Sequence, residues 1–171
     1  MVRDTRGISL TEVMITIFIL GLVFALGPSL MTQLSRLFIL NRTRSELQRE
    51  TRTTMNMLLL DLRQSSSKTI YIDRLDADQP YYSRVSLKLS DGTQVEYYQN
   101  GRLFIRKTTP PGGGGSGTLT LTDSLKLFVI CQPQSDSHNY FRLGLTLEKG
   151  IYEGKYKSIH MASDSVFTPN G

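Results

Sequence analysis

The longest apolar stretch of the chain lies near its start. Between Val13 and Leu26 the one clearly polar residue is Thr16, and apolar residues dominate the 22 residues from Leu10 to Met31. As a helix, that segment would span roughly 33 Å, which is enough to cross a bilayer. The pattern therefore predicts a membrane-spanning helix.

Helical spacing continues beyond this segment. Apolar residues recur at intervals of three and four: Leu30, Leu34, Leu37, Phe38, Leu47, Met55, Leu58, Leu59 and Leu62. Residues 41–54 contain Leu47 as their single large apolar side chain among several charged residues, which favours a solvated stalk. We expect one helix from about Ile8 to Arg63, on the order of 80 Å long.

After the helix the period changes to two. Alternating runs begin at Ile70, recur over 85–89 and 94–99, and end with 102–107. The dipeptides Asp91-Gly92 and Asn100-Gly101 separate the last three runs. Such dipeptides favour tight primed turns, so the sequence predicts a three-stranded antiparallel meander.

The rest of the chain contains a break and further strand patterns. Thr108–Gly117 is rich in Pro and Gly and predicts a loop inside the domain, or else a boundary between two small sheets. Strands are expected at 118–122, 125–131 and 140–148, with an edge strand within 151–161. The predicted fold class is α+β, with a long N-terminal helix on an antiparallel sheet and Leu58, Leu59 and Leu62 facing that sheet.

Charge adds an orientation. The net charge is +5, with much of the excess in the first residues and between Arg36 and Arg63. Arg3 and Arg6 precede the apolar segment, which favours a cytoplasmic N-terminus and an exported domain. A cleaved secretory signal is the alternative, because Ala25-Leu26-Gly27 loosely fits a small-x-small site, although Pro28 would directly follow the cut.

The residues before the apolar helix form a motif. Gly7, Ile8, Ser9, Leu10, Thr11 and Glu12 follow a short basic leader in that order. This N-terminus resembles those of type IV prepilins and pseudopilins, although Phe or Met is commoner than Ile at the position of Ile8. The resemblance implies a cleaved leader (1–7), a transmembrane helix (8–31), a stalk helix continuing into the domain (32–64) and a β-rich domain (65–171).

The resemblance also assigns roles to single residues. A prepilin peptidase would cut between Gly7 and Ile8 and methylate the new amine of Ile8. Glu12 would pair with the N-terminal amine of a neighbouring subunit, whereas the simpler alternative is that it reaches the headgroups. Gly27 and Pro28 fall where pilin helices commonly break, and a proline there independently predicts a kink or local melting.

A weaker similarity suggests the type of subunit. The segments "MNMLLLDLRQSS" and "VEYYQNGRLFIRK" are similar to J-type pseudopilins of type II secretion and to W-type minor pilins. Such a protein would be a structural subunit in the bacterial inner membrane, with a periplasmic domain, no enzymatic activity, no cofactor and no small-molecule substrate. Its partners would be other minor and major pilins or pseudopilins and the prepilin peptidase.

Glu12 bears on position within such a filament. The K-type tip subunit characteristically lacks this carboxylate, so the resemblance implies a place near the tip and just below it. The alternatives are a minor subunit of a DNA-uptake or adhesion pilus, and a signal-anchored extracytoplasmic binding domain outside the pilin family.

Few residues suggest chemistry. His138 and His160 lack a metal-binding spacing, and the single Cys131 lies in an apolar run that favours burial. Asp73, Asp76 and Asp78 are weak candidates for calcium, but a solvated turn is the simpler interpretation because the EF-hand spacing is missing. No metal site is predicted.

A nucleic-acid surface is the remaining candidate. It would combine three cations with three aromatic rings: Arg102, Arg106, Lys107, Tyr97, Tyr98 and Phe104. Alternation places Phe104 on the same strand face as Arg102 and Arg106, which predicts that it is semi-exposed. A subunit contact explains such a ring more simply, so nucleic-acid binding is not expected.

Overall fold

The computed structural model describes residues 9–133, 139–151 and 156–168. The chain divides into two compact units, Met1–Arg42 and Thr43–Gly171. Within the described residues the elements are one long helix, a short 3₁₀ turn and eight strands: α1 (Leu10–Gln64), the turn (Ser67–Thr69), β1 (Tyr71–Asp73), β2 (Arg84–Lys88), β3 (Gln94–Asn100), β4 (Leu103–Thr109), β5 (Gly117–Thr122), β6 (Leu125–Cys131), β7 (Tyr140–Ile151) and β8 (Tyr156–Phe167).

Two antiparallel sheets form in the second unit. The first has the order β1-β2-β3-β4-β5 and the second the order β6-β7-β8, so within each sheet every strand pairs with its neighbour in sequence. The predicted three-stranded meander is confirmed as β2, β3 and β4. The Gly-rich loop joins β4 to β5 inside the first sheet, and the change of sheet occurs instead at Asp123-Ser124.

The two predicted hairpin turns are present, but neither loop consists of the two residues that the sequence predicted for it. Between β2 and β3, the Gly92 amide donates to the Leu89 carbonyl at 3.0 Å and Gly92 has φ 86°. The Leu89 amide also donates to the Thr93 carbonyl at 2.9 Å, so the loop has three residues, Ser90-Asp91-Gly92, and its glycine is left-handed. Between β3 and β4, Asn100 pairs with Leu103, so the loop is Gly101-Arg102, and Gly101 has φ 59°. In both loops glycine supplies the positive φ that the twist of the strands requires.

One hydrophobic core joins the helix to both sheets of the second unit. Leu58, Leu59 and Leu62 are buried, as predicted, and the cluster includes Leu47 and Met55 from α1. The sheets contribute Val85, Leu87, Val95, Tyr97, Phe104, Leu125, Phe128, Ile130, Phe141, Leu143, Leu145, Leu147 and Val166. The α+β arrangement of a long helix and antiparallel sheets is therefore confirmed.

The predicted solvated stalk is wrong for its second half. Leu47 and Thr51 are both 0% exposed, and the compact second unit already begins at Thr43. Glu46 reaches Lys149 of β7 at 2.9 Å, and Glu50 accepts a hydrogen bond from Thr122 of β5 at 3.2 Å. Two of the charged residues that suggested a solvated stalk thus attach the helix to the sheets.

The predicted exposure of Phe104 is also wrong. Phe104 is 0% exposed, and its ring centroid lies 4.6 Å from that of Phe128. Alternation does place Phe104 and Arg106 on one face, but that face is turned to the core. A charged side chain is accommodated there because Asp61 of α1 neutralises Arg106.

Candidate functional site: the exposed apolar segment and Glu12

The first unit carries an apolar surface that its own residues do not cover. Every large apolar side chain from Leu10 to Leu40 is exposed, with fractions from 39% at Leu40 to 78% at Leu10. This part of α1 is long and apolar enough to cross a membrane, and none of its most apolar window is buried. A membrane anchor or a signal sequence has these properties.

Glu12 lies in the first turn of this helix. The Ser9 carbonyl accepts hydrogen bonds from the amides of Glu12 at 3.0 Å and Val13 at 3.2 Å, and the Thr16 hydroxyl donates to the Glu12 carbonyl at 2.7 Å. The carboxylate itself is exposed, and no side chain within the described ranges pairs with it. The partial positive charge at a helix N-terminus stabilises a carboxylate at this position.

The spacing of Ser9 and Glu12 has a local meaning that the sequence reasoning missed. A serine before the helix followed three residues later by glutamate is the capping-box pattern. Here the Ser9 hydroxyl lies 2.7 Å from the Thr11 hydroxyl. The two capping-box hydrogen bonds, from the Glu12 amide to the Ser9 hydroxyl and from the Ser9 amide to the Glu12 carboxylate, are not formed between these described residues. The spacing therefore suggests a local reason for a glutamate at position 12 that the observed contacts do not realise.

Gly27 and Pro28 do not interrupt the helix. α1 is continuous from Leu10 to Gln64 with Pro28 inside it, so the predicted local melting is absent. Hydroxyl groups bond to backbone carbonyls just around the proline, from Ser29 to Leu26 at 3.0 Å and from Thr32 to Ser29 at 2.8 Å. Neither bond reaches the Phe24 carbonyl, which is the group that a proline at position 28 deprives of its amide donor. The predicted cleavage site, Gly7 and Ile8, lies outside the described residues.

The three aspartates considered for calcium do not converge. Asp73 forms a two-pronged ion pair with Arg84 of β2, and the Asp76 carboxylate accepts the Ala77 amide at 2.6 Å. Asp78 is exposed. Across the described ranges, no three His, Cys, Asp or Glu side chains group as metal ligands.

Cys131 is half-buried rather than buried, because alternation along β6 gives the core position to Ile130. His160 is half-buried on β8, and His138 lies outside the described residues.

The six residues considered for nucleic-acid binding do not form one surface. Tyr97 and Phe104 are fully buried, so their rings cannot stack on bases. Arg106 is bound to Asp61, and Lys107 lies 4.0 Å from Glu96. Arg102 is exposed and donates to the Glu148 carbonyl at 2.7 Å, which links the two sheets.

A polar cluster that joins α1 to the first sheet was not predicted. The Tyr97 hydroxyl donates to Asp61 at 2.6 Å, and Arg106 donates both to the same carboxylate at 2.9 Å and to the Tyr97 hydroxyl at 3.1 Å. Burial raises the pKa of Tyr97, and the bond to Asp61 raises it further. Burial lowers the pKa of Arg106, but its bond to Asp61 and the neighbouring negative charge outweigh burial and raise it overall.

One signal for this cluster was available in the sequence. Asp61 is the only charged residue in "MNMLLLDL", where helical spacing places it beside Leu58 and Leu62. A carboxylate on a core-facing stripe needs a cation or hydrogen-bond donors as partners.

Comparison with known proteins adds no assignment: no family profile, no curated protein and no solved structure matches this chain.

Proposed function

We propose that this chain is a minor subunit of a pilin-like filament, either a type II secretion pseudopilus or a type IV pilus. Residues from Ile8 through the apolar part of α1 anchor the chain in the bacterial inner membrane and then enter the helical bundle of the filament. The β-rich second unit lies outside the cytoplasm and contacts other minor subunits, near the tip and just below it.

The observation that carries the proposal is the uncovered apolar helix with a carboxylate in its first turn. Large apolar side chains on every side of the helix, between Leu10 and Leu40, call for an apolar environment all round. Lipid provides this before assembly, and neighbouring helices provide it afterwards. Within such a bundle the Glu12 carboxylate requires a cation, and the amine of a neighbouring Ile8 is the partner that the leader motif implies.

A second candidate is a signal-anchored extracytoplasmic domain outside the pilin family. The capping-box spacing of Ser9 and Glu12 favours it, because the glutamate then serves its own helix and needs no neighbour. The two candidates differ in what the carboxylate does after the chain reaches the membrane.

Substitutions at Glu12 and Ser9 separate these candidates in the native cell. Glu12→Gln and Glu12→Ala should leave export and membrane insertion intact and strongly lower recovery in sheared or purified filaments. Ser9→Ala perturbs the cap alone and should leave recovery unchanged. If Glu12→Gln assembles as well as the unsubstituted chain, the pairing role is refuted. If Ser9→Ala fails as severely as Glu12→Ala, capping accounts for the glutamate.

A further inference from the structure

A cavity lies on the outer face of the first sheet, on the side away from the core. It is open to solvent, its volume is about 390 Å³, and residues of strands β1, β2 and β3 line it. Ligand pockets in proteins usually have volumes of about 300–1,000 Å³. The cavity is therefore large enough for a small ligand.

Strand register explains why the polar side chains of this cavity meet. Tyr71 of β1, Ser86 of β2 and Glu96 of β3 lie opposite one another and form one row across the strands. Lys88 and Gln94 form the next row. Because side chains alternate between the two faces of a strand, both rows lie on the face opposite the core positions. The short side chain of Ser86 lies among longer ones, which leaves the depression.

Most polar groups of the cavity have no partner inside the protein. Four side chains make no hydrogen bond or ion pair within the described ranges: Tyr71, Ser86, Lys88 and Gln94. Glu96 differ from these, because its carboxylate lies 4.0 Å from the Lys107 ammonium group. The cavity thus contains the unbalanced positive charge of Lys88 and a carboxylate whose charge is balanced.

These groups fit a sugar ring better than the side chain of a peptide. Tyr71 is 69% exposed, and an aromatic ring packs against the C–H face of a pyranose. Ser86 and Gln94 both donate and accept hydrogen bonds, and Glu96 accepts them, as the hydroxyls around a pyranose require. A peptide side chain has one polar end and would leave most of these groups unpaired.

Lys88 indicates that the sugar is acidic. Its ammonium group forms charge-assisted hydrogen bonds with a carboxylate, which are roughly twice as strong as those between neutral groups. A uronic acid has this carboxylate on the same ring as its hydroxyls. The ligand class therefore follows from one cation, one aromatic ring and several neutral or balanced polar groups.

We propose that this cavity binds a uronic acid unit of an acidic saccharide, with the ring on Tyr71 and the carboxylate at Lys88. The sugar hydroxyls bond to Ser86, Gln94 and Glu96. The site belongs to the second unit and does not depend on the proposed filament function.

Saturation-transfer NMR with trigalacturonate tests the proposal on the full chain, solubilised in a polyoxyethylene detergent, which has no sugar headgroup. Neutral galactotriose of the same linkage is the matched probe, and it should receive severalfold less saturation than trigalacturonate. Lys88→Gln should abolish this preference, whereas Lys126→Gln, which removes an exposed cation of the second sheet, should preserve it. Equal transfer to the two probes, or no transfer to either, would overturn the proposal. So would an equal loss of preference in the two lysine variants.

Tyrosine variants and a competitor test the contribution of the sugar ring. Tyr71→Ala should lower the transfer to trigalacturonate severalfold, and Tyr81→Ala, at another exposed tyrosine, should leave it unchanged. Circular dichroism should be the same for both variants, because neither side chain is buried. A blocked Gly-Glu-Gly peptide in excess should not displace trigalacturonate. Unchanged binding in Tyr71→Ala would contradict the placement of the ring, and displacement by the peptide would show that a carboxylate suffices, so either result overturns the assignment to a sugar.

Discussion

Removing the Asp61 carboxylate should be among the most damaging single changes in the second unit. Its side chain is 11% exposed and that of Arg106 is 21% exposed, and one carboxylate oxygen serves both Arg106 and the Tyr97 hydroxyl. Losing one partner of a fully buried ion pair costs about 3–5 kcal/mol, and a hydrogen bond to a charged group contributes about 1.5–3 kcal/mol. Since both groups retain some contact with water, we expect Asp61→Asn to lower the free energy of unfolding by about 3 kcal/mol.

Chemical and thermal unfolding of the full chain in detergent measures this cost. The chain has no tryptophan and eight tyrosines, so tyrosine fluorescence and circular dichroism report the transition. A loss of about 3 kcal/mol corresponds to a fall in Tm of roughly 10 °C for a domain of this size. Asp78→Asn, on an exposed aspartate, is the matched control and should change stability by less than about 0.5 kcal/mol.

A double-mutant cycle identifies the cause. If the ion pair is responsible, Asp61→Asn and Arg106→Gln together should cost less than the sum of the two single changes, by about 1 kcal/mol or more. Additive costs, or a cost of Asp61→Asn no greater than that of Asp78→Asn, would refute the assignment of this cluster as the bond between helix and sheet.

Three further predictions concern the same unit. Because burial raises the folded-state pKa of Tyr97 above its unfolded value, its contribution to stability is complete below about pH 10 and is lost as the pH rises further; Tyr97→Phe should flatten that part of an alkaline unfolding profile. Phe104→Ala should cost about 3–5 kcal/mol in denaturant unfolding, whereas Leu103→Ala, at 36% exposure, should cost less than about 1 kcal/mol; similar costs would contradict the observed strand faces. Gly101→Val, at φ 59°, should destabilise the chain by about 1–2 kcal/mol, and an unchanged denaturation midpoint would contradict the left-handed turn.

The elements with strong periodicity could be predicted from sequence. The apolar helix, its continuation to Leu62 and the meander of β2 to β4 follow from spacings of three to four and of two. The turn dipeptides located the hairpins, but not the loop lengths. Those depend on strand register, which is fixed by pairing across the sheet.

What sequence could not decide was which polar residues lie inside. Alternation correctly placed Phe104 and Arg106 on one strand face, but the charge of Arg106 suggested that this face is exposed to solvent. The carboxylate that allows Arg106 to face the core is 45 residues away in sequence, on the helix, and the strand pattern does not reveal it. Likewise, the charges of Glu46 and Glu50 suggested a solvated stalk. The structure instead shows that Glu46 contacts Lys149 and that Glu50 accepts a hydrogen bond from Thr122. A local pattern, such as Asp61 within an apolar run, indicates that a charge needs a partner, but the identity of that partner is a tertiary property.

The candidate site shows the opposite balance. The apolar helix and the position of Glu12 follow from sequence, whereas the proposed partner of the carboxylate, the N-terminal amine of Ile8 of a neighbouring subunit, belongs to another chain. The spacing of Ser9 and Glu12 fits a capping box as well as the prepilin-like motif, so the sequence alone does not choose between a local and an intermolecular role.

The mature N-terminus is the most direct test of the central claim. Intact mass and N-terminal sequencing of the chain recovered from native membranes should give a protein that begins at N-methylated Ile8, having lost residues 1–7. A Gly7 variant with a bulky side chain should retain the leader. A native chain that begins at Met1 or at Pro28 would contradict the pilin-like function, leaving an uncleaved anchor in the first case and a secreted domain in the second.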